Sequence, residues 1–265
     1  GNFGGPWQLQ RFDFRRFPGP IVMTTNCLQE PKRGYRDRIF TMNEVGWEGI
    51  PTVENRDFSK VIALAQELDG FAVTEEPNMI MGGFGHEAIL SVADKVLEAA
   101  QGGSLERIVL IGGCDGSEGD RSYFTDLAQE LPDSAVMLTL GCAKYRLLGK
   151  QDYGVLPGTE IPRLLDMGQC NDAYGAVVVA QKLAEALNTD INSLPLSLEL
   201  SWLEQKAVAV LLSLLHLGVK DIRLGPNPPA FVTPNMLNTL VDGFNLQIID
   251  TSNAKGSVDH VMGRA

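Results

Sequence analysis

The sequence predicts an α/β fold, Rossmann-like and doubly wound, with mainly parallel sheets and two α/β domains. Three observations predict it. From Glu106 onward, short apolar runs alternate with longer amphipathic stretches, the pattern of strand–helix–strand units. The short runs, such as RIVLIGG (107–113) and AVMLTLG (135–141), are apolar at nearly every position, as expected of parallel strands covered on both faces. Gly, Pro, Asn and Asp punctuate the junctions. The 265 residues, 44% hydrophobic and 21% charged, suffice for one large or two smaller domains. The boundary is placed between residues 1–78 and 79–265.

The elements follow in order. GPIVMTTN (19–26) is a strand that ends at Cys27. RDFSKVIALAQELDGF (56–71) is an amphipathic helix with Val61, Leu64, Ala65 and Leu68 on one face and Gly70 past its end. Residues 72–85 form a linker or lid, and HEAILSVADKVLEAAQGG (86–103) is one helix with a glycine stop. RIVLIGG then leads as a strand into the helix SYFTDLAQEL (122–131). AVMLTLG leads into NDAYGAVVVAQKLAEAL (171–187), with Asn171 or Asp172 as N-cap. LPLSLELS (194–201) is a strand and WLEQKAVAVLLSLLHLG (202–218) a helix closed by Gly218. DIRLGP (221–226) is a strand. TPNMLNTLVDGF (233–244) is a helix with Thr233 as N-cap and Pro234 at its first position, and LQIID (246–250) is the last strand.

Charge and composition exclude several classes. With 22 basic and 33 acidic residues the formal charge is −11, which argues against nucleic acid or an anionic membrane as partner. No run is apolar enough for a transmembrane helix. The start, GNFGGPWQLQ, lacks a basic n-region and an apolar h-region, so no signal peptide is expected. It does not resemble a natural beginning either, so a fragment or processed chain is expected. Without a secretory signal the four cysteines, none in a CxxC pair, do not form a disulfide framework, and a cytoplasmic location is expected.

The polar residues that carry chemistry collect at strand ends. Cys27, Cys114 and Cys142 each follow a predicted strand, and Cys170 opens a helix, where the macrodipole favours a thiolate. Scattered buried thiols are one reading; a ligand set drawn from several loops is the other. Zinc would favour paired spacing, so dispersed thiolates suit an iron–sulfur cluster better. Gly112, Gly113 and Gly141 would let backbone approach a bulky inorganic group, or would simply punctuate turns. The next joint holds two opposite charges, Glu204 and Lys206. Ser201 to Glu204 reads as a capping box, which makes Glu204 structural; equally, Glu204 could face the site. Gly83, Gly85 and Ala88 in MGGFGHEA match a G-x-G-x-x-A dinucleotide fingerprint, though the strand before it is poor. This motif supports an alternative function, a nucleotide- or ligand-binding module without redox activity. His86 opens a helix, His216 ends one, and His260 lies in a polar tail; none forms a hydrolase set.

Longer blocks carry a resemblance. TTNC, FGHEAILSVADKV, LIGGCDG, LTLGCAKYR, IPRLLDMGQCNDAYGA, LPLSLELSWLEQKAVAVLLSLLHLGVKDIRLGP and PAFVTPNML resemble, in order, the hybrid-cluster proteins, or hydroxylamine reductases. More distant kinship to nickel carbon monoxide dehydrogenases is expected. The resemblance covers the C-terminal half of that family only. It implies an Fe–S–O hybrid cluster held by Cys27, Cys114, Cys142, Cys170 and Glu204, with a persulfide possible at Cys114 and with Glu204 and Lys206 as catalytic residues. Lys206 would be the proton donor beside bound substrate. The implied activity is reduction of hydroxylamine to ammonia, or of a related N-oxide such as nitric oxide, with electrons from a partner reductase. The family's further His and Glu ligands, and a second iron–sulfur cluster, precede the equivalent of residue 1. The first domain would then be an incomplete remainder contributing one cysteine. An inactive apo fragment is a third reading.

Overall fold

The computed structural model describes residues 5–25, 27–115, 122–201 and 203–264. Asn26, Gly116 and Trp202 of the quoted motifs lie outside the described residues, as does the start of GNFGGPWQLQ. The chain forms two compact units, Gly1–Met79 and Ile80–Ala265.

In the first unit, α1 (Gln10–Arg16) precedes the strands β1 (Ile21–Met23), β2 (Ile39–Met42) and β3 (Thr52–Val53), which pair in parallel in that order. Phe14 and Tyr35 pack edge to face at 5.6 Å in a core with Ile21, Met23, Ile39 and Ile50. The helix α2 (Ser59–Glu67) forms where its periodicity predicts, yet none of its residues is buried within the unit. Residues 72–85 contain neither helix nor strand.

The second unit contains α3 (His86–Leu90), α4 (Ala93–Gln101), β4 (Arg107–Gly113), α5 (Tyr123–Glu130), β5 (Ala135–Gly141) and β6 (Leu164–Asp166). It continues with α6 (Ala173–Ala186), β7 (Leu196–Leu200), α7 (Gln205–His216), β8 (Ile222–Leu224), α8 (Pro234–Phe244), β9 (Gln247–Ile248) and α9 (Ala254–Val261). Its sheet is parallel throughout, in the order β6-β5-β4-β7-β8-β9. The chain winds outward in one direction from β4 and in the other from β7, as in dinucleotide-binding folds. Thr233 caps α8 by accepting from the Met236 amide at 3.3 Å, with Pro234 in the first turn, as expected.

Strand periodicity sorts the core into two layers. Val109, Ile111 and Met137 point to one face and pack with Phe124, Leu127, Val261 and Met262 of α5 and the α9 end. Leu110, Leu138, Leu198 and Leu200 point to the other, towards α4, α6 and α7. There they line an apolar cavity of about 130 Å³ that extends to Cys170. A buried polar network crosses the first face. Arg223 Nη1 donates to Glu199 Oε1 at 2.9 Å, and the Tyr123 hydroxyl donates to Glu199 Oε2 at 3.3 Å. Among the described residues no helix is long and apolar enough to cross a membrane.

The structure departs from the expectations at one helix and adds detail at three further places. The single helix over 86–103 is two, α3 and α4. The Ser91 hydroxyl donates to the Ala88 carbonyl at 2.7 Å at the break, so a side chain competes there with helix continuation. Asp172 stands at the N-cap position of α6, one of the two residues expected there, but its side chain makes no cap bond to that helix; it closes the 3-10 turn Cys170–Asp172 instead, where its carboxylate accepts from the Gln169 amide at 2.7 Å. β6 adds a strand where the sequence predicts no element. His260, in the polar tail, lies on α9, a helix the sequence does not predict, where the Asn253 side chain accepts from the Gly256 amide at the helix start.

Candidate functional site

In open parallel sheets, ligands gather beyond the carboxyl ends of strands, where the strand order reverses. In this sheet the reversal falls between β4 and β7. β4 runs straight into Cys114, and β5 into Cys142, the first residue of a 3-10 turn, Cys142–Arg146. The turn between β6 and α6 presents Cys170 at a helix start. The joint between β7 and α7 presents Glu204 and Lys206. Cys114, Cys142 and Cys170 are all buried. Cys27 belongs to the first unit, where it is partly exposed and its carbonyl accepts from Gln10 Nε2 at 2.9 Å.

The side chains meet closely. The Cys114 and Cys170 thiols hydrogen-bond to each other, and the Glu204 amide donates to Cys114 Sγ at 3.3 Å. Gly141 sits against both neighbouring turns. A Cβ there would fall 2.9 Å from Cys170 Sγ and 2.9 Å from the Gly113 carbonyl oxygen. With φ +73° and ψ −150°, Gly141 occupies a backbone region essentially reserved for glycine. The Gly141 amide donates to the Gly168 carbonyl at 3.0 Å, which ties the Cys142 strand to the turn before Cys170.

Electrostatics divide the paired thiols. Cys170 is held low, first by the hydrogen bond from Cys114 and also by the Lys206 charge. Cys114 is pushed up, first by that same bond and then by burial. Lys206 is anchored: its Nζ donates to Asn171 Oδ1 at 2.6 Å, immediately after Cys170.

The capping box is not formed. α7 begins at Gln205 with Glu204 in the N-cap position, and the Glu204 side chain makes no cap hydrogen bond. Ser201 turns the other way: its hydroxyl donates to the Gly112 carbonyl at 3.0 Å and accepts from the Asp115 amide at 3.3 Å. A residue one step beyond β7 thus stitches that strand to the end of β4, which leaves the Glu204 carboxylate uncommitted to the helix end.

The dinucleotide fingerprint lacks its context. No strand precedes Gly83, and α3 after it is five residues long. The turn amides are directed at the chain itself: Gly83 donates to Asp166 Oδ2 at 3.1 Å and Phe84 to the Asp166 carbonyl at 2.6 Å. His86 stacks edge to face with Tyr174 at 6.4 Å. Sequence reasoning missed Asp115, Lys144, Arg146 and Asp166, which form buried ion pairs beside the cysteines. The available signal was their position inside GGCDG, GCAKYR and LLDMGQC.

Among the described residues, no three His, Cys, Asp or Glu side chains are set around one metal ion. An iron–sulfur cluster makes a different demand, because each thiolate binds its own iron atom rather than a shared centre. Buried sulfur donors from three turns, a cradle kept open by a glycine and an uncommitted carboxylate fit such a group.

Comparison with known proteins agrees with this chemistry. The Prismane/CO dehydrogenase family matches residues 1–256. The hydroxylamine reductase of Zymomonas mobilis subsp. mobilis is 56% identical over 252 residues, covering 95% of this chain and 46% of that protein. That of Rhodospirillum rubrum is 54% identical over 251 residues, covering 95% and 45%. The chain thus spans about half the length of the curated relatives it matches. Among solved structures, a Ni-free carbon monoxide dehydrogenase from Thermococcus sp. AM4 shares the fold at a TM-score of 0.71 and 21% identity, covering 97% of this chain and 48% of that one. Carbon monoxide dehydrogenase IV from Carboxydothermus hydrogenoformans follows at 0.66 and 15%, covering 92% and 48%. The fold, the cysteine-bearing strand ends and these matches together establish that the chain belongs to the Prismane/CO dehydrogenase family.

Proposed function

We propose that this chain is the C-terminal, cluster-holding half of an iron–sulfur oxidoreductase that reduces hydroxylamine to ammonia, or a related small N-oxide such as nitric oxide. The observation that carries the reading is that the Cys114 and Cys170 thiols, which hydrogen-bond, the Glu204 amide on Cys114 Sγ and the Cys142 turn gather along the carboxyl edge of one sheet. The curated hydroxylamine reductases that match most of this chain support the choice of reaction. Cys114, Cys142 and Cys170 act as soft thiolate ligands and Glu204 as a hard oxygen ligand of a mixed Fe–S–O cluster. Cys27 is proposed as a further ligand on sequence grounds alone. When bound, the hybrid cluster supplies electrons and an open iron position for the substrate.

The chain's own residues do the rest. Lys206, held by Asn171, carries a proton beside Cys170 for the oxygen that leaves nitrogen. Reduction of hydroxylamine to ammonia and water takes two electrons and two protons; a partner reductase would supply the electrons. Leu200, Leu203 and Ala207 line the side of the site that adjoins the apolar cavity, which keeps bulk water from the thiolates. The acidic chain is proposed to work in the cytoplasm, apart from nucleic acid and membrane.

The test is anaerobic oxidation of a reduced viologen by hydroxylamine, with ammonia measured as product, on the protein that carries this chain. Glu204→Ala and Cys114→Ser should each lower turnover by at least a hundredfold and change the cluster spectrum. Unchanged spectra and turnover in both would overturn the assignment.

A further inference from the structure

The turn that carries Cys142 also carries two cations, and each reaches a buried carboxylate beside a different cysteine. Arg146 Nη2 donates to Asp115 Oδ1 at 2.7 Å, and Asp115, fully buried, directly follows Cys114. Lys144 Nζ donates to Asp166 Oδ2 at 3.2 Å, and Asp166, 2% exposed, lies four residues before Cys170. The second Asp166 oxygen accepts from the Gly168 amide at 2.8 Å. Gly168 in turn accepts from Gly141, the residue before Cys142. Each ion pair therefore joins two cysteine turns, and the Cys142 turn is common to both.

Energetics make this placement informative. Buried ion pairs add little net stability compared with apolar residues of the same volume, because desolvation offsets most of the attraction. Two buried carboxylates and two part-buried cations around three cysteines are thus a costly way to hold a core together. They are an effective way to fix geometry, since breaking either pair removes a charge-assisted hydrogen bond from a buried carboxylate. Neither the β4–β5 ladder nor the β5–β6 ladder extends to these turns, so the sheet alone does not set the spacing of the sulfur atoms.

We infer that Lys144 and Arg146 are positioning residues: through Asp166 and Asp115 they lock the Cys170 and Cys114 turns to the Cys142 turn, so the thiol cradle is preset before any iron arrives. What the cradle holds rests on the function proposed above; the bracing does not. Supporting groups of this kind typically affect metal affinity by about 10- to 100-fold.

The test uses the full chain and two pairs of variants. Amide hydrogen exchange of the metal-free protein is followed in Lys144→Met, Lys144→Arg, Arg146→Met and Arg146→Lys. Lys144→Met should speed exchange about tenfold or more in peptides covering 142–146 and 166–170 while leaving the Cys114 peptide unchanged. Arg146→Met should do the same for the Cys142 and Cys114 turns and spare 166–170. The charge-conserving variants should restore most of the protection. Unchanged exchange, an increase spread equally over β4 and β5, or charge-conserving variants no better than methionine would each overturn the inference. Iron uptake after anaerobic reconstitution separates this from the functional proposal. A wild-type chain that takes up no iron sinks that proposal, and the exchange pattern still decides the bracing. A wild-type chain that takes up iron, matched in amount and electron-paramagnetic signal by both methionine variants, sinks the bracing alone.

Discussion

Gly141→Ala should damage the second unit through both backbone strain and overpacking. Its backbone, at φ +73° and ψ −150°, lies where only glycine is at ease, and holding alanine there costs about 1–3 kcal/mol. The new Cβ would also sit 2.9 Å from both Cys170 Sγ and the Gly113 carbonyl oxygen. The carbonyl belongs to β4 and cannot swing aside, so relief has to come from the cysteine turn. Overpacking of this kind adds a further ~1–3 kcal/mol. A combined loss of about 3 kcal/mol lowers the melting temperature of a unit of this size by roughly 6–12 °C, at about 2–4 °C per kcal/mol. Gly85→Ala is the matched control. Gly85 has an ordinary φ of −64° and open space where a Cβ would stand, so no loss is expected. Equilibrium urea unfolding of the two variants against wild type measures the difference. A Gly141→Ala protein within ~0.5 kcal/mol of wild type would refute the steric reasoning, and with it the claim that this glycine keeps the cradle open.

Three further outcomes are expected. Burial pushes the Glu199 carboxyl up to about 7 against the pull of Arg223, from an ordinary value of 4.5. An acid raised by folding binds its proton more tightly in the folded state. Its contribution is therefore complete below about pH 4.5 and is lost as pH rises through about 7, a change of roughly 3 kcal/mol. The urea midpoint should fall across that window, and Glu199→Gln should flatten the slope; a wild-type midpoint that rises there would contradict the sign. Ser201→Ala removes the hydroxyl shared by the Gly112 carbonyl and the Asp115 amide, and should destabilise by about 1–3 kcal/mol. A loss below ~0.5 kcal/mol in the same assay would show that the stitch between β7 and β4 is not needed. Thr233→Ala should cost about 1 kcal/mol and speed amide exchange in the first turn of α8, with unchanged exchange at Met236 as the contrary result.

How much of this was legible in sequence depended on length and pattern. β4, β5 and β7 could be read because each is an apolar run bounded by turn residues, which only a strand covered on both faces requires. β6 is three residues long, and neither alternation nor length separates it from a loop. β2 and β3 were illegible for the same reason, and α9 because only Ala254, Val258 and Val261 of its eight residues have apolar side chains. The strand-end positions of Cys114 and Cys142 followed from the strand assignments. The choice between cap and site at Ser201 to Glu204 stays open in sequence because a four-residue pattern does not reveal that Ser201 still lies alongside β4. Glu199 was readable in principle, as the one charge inside LPLSLELS, but its partner Arg223 is supplied only by the pairing of β7 with β8. The pairs Lys144–Asp166 and Arg146–Asp115 depend on three turns meeting, which no local pattern encodes.

The central claim is that Cys114, Cys142 and Cys170 converge to hold iron and sulfide. Iron and acid-labile sulfide per chain, measured on protein purified and reconstituted without oxygen, test it most directly, with Cys170→Ser alongside. The account predicts several irons with sulfide in the wild-type chain, and a large loss of both in the variant. No iron in the wild-type chain, or the same iron and sulfide in Cys170→Ser, would contradict it.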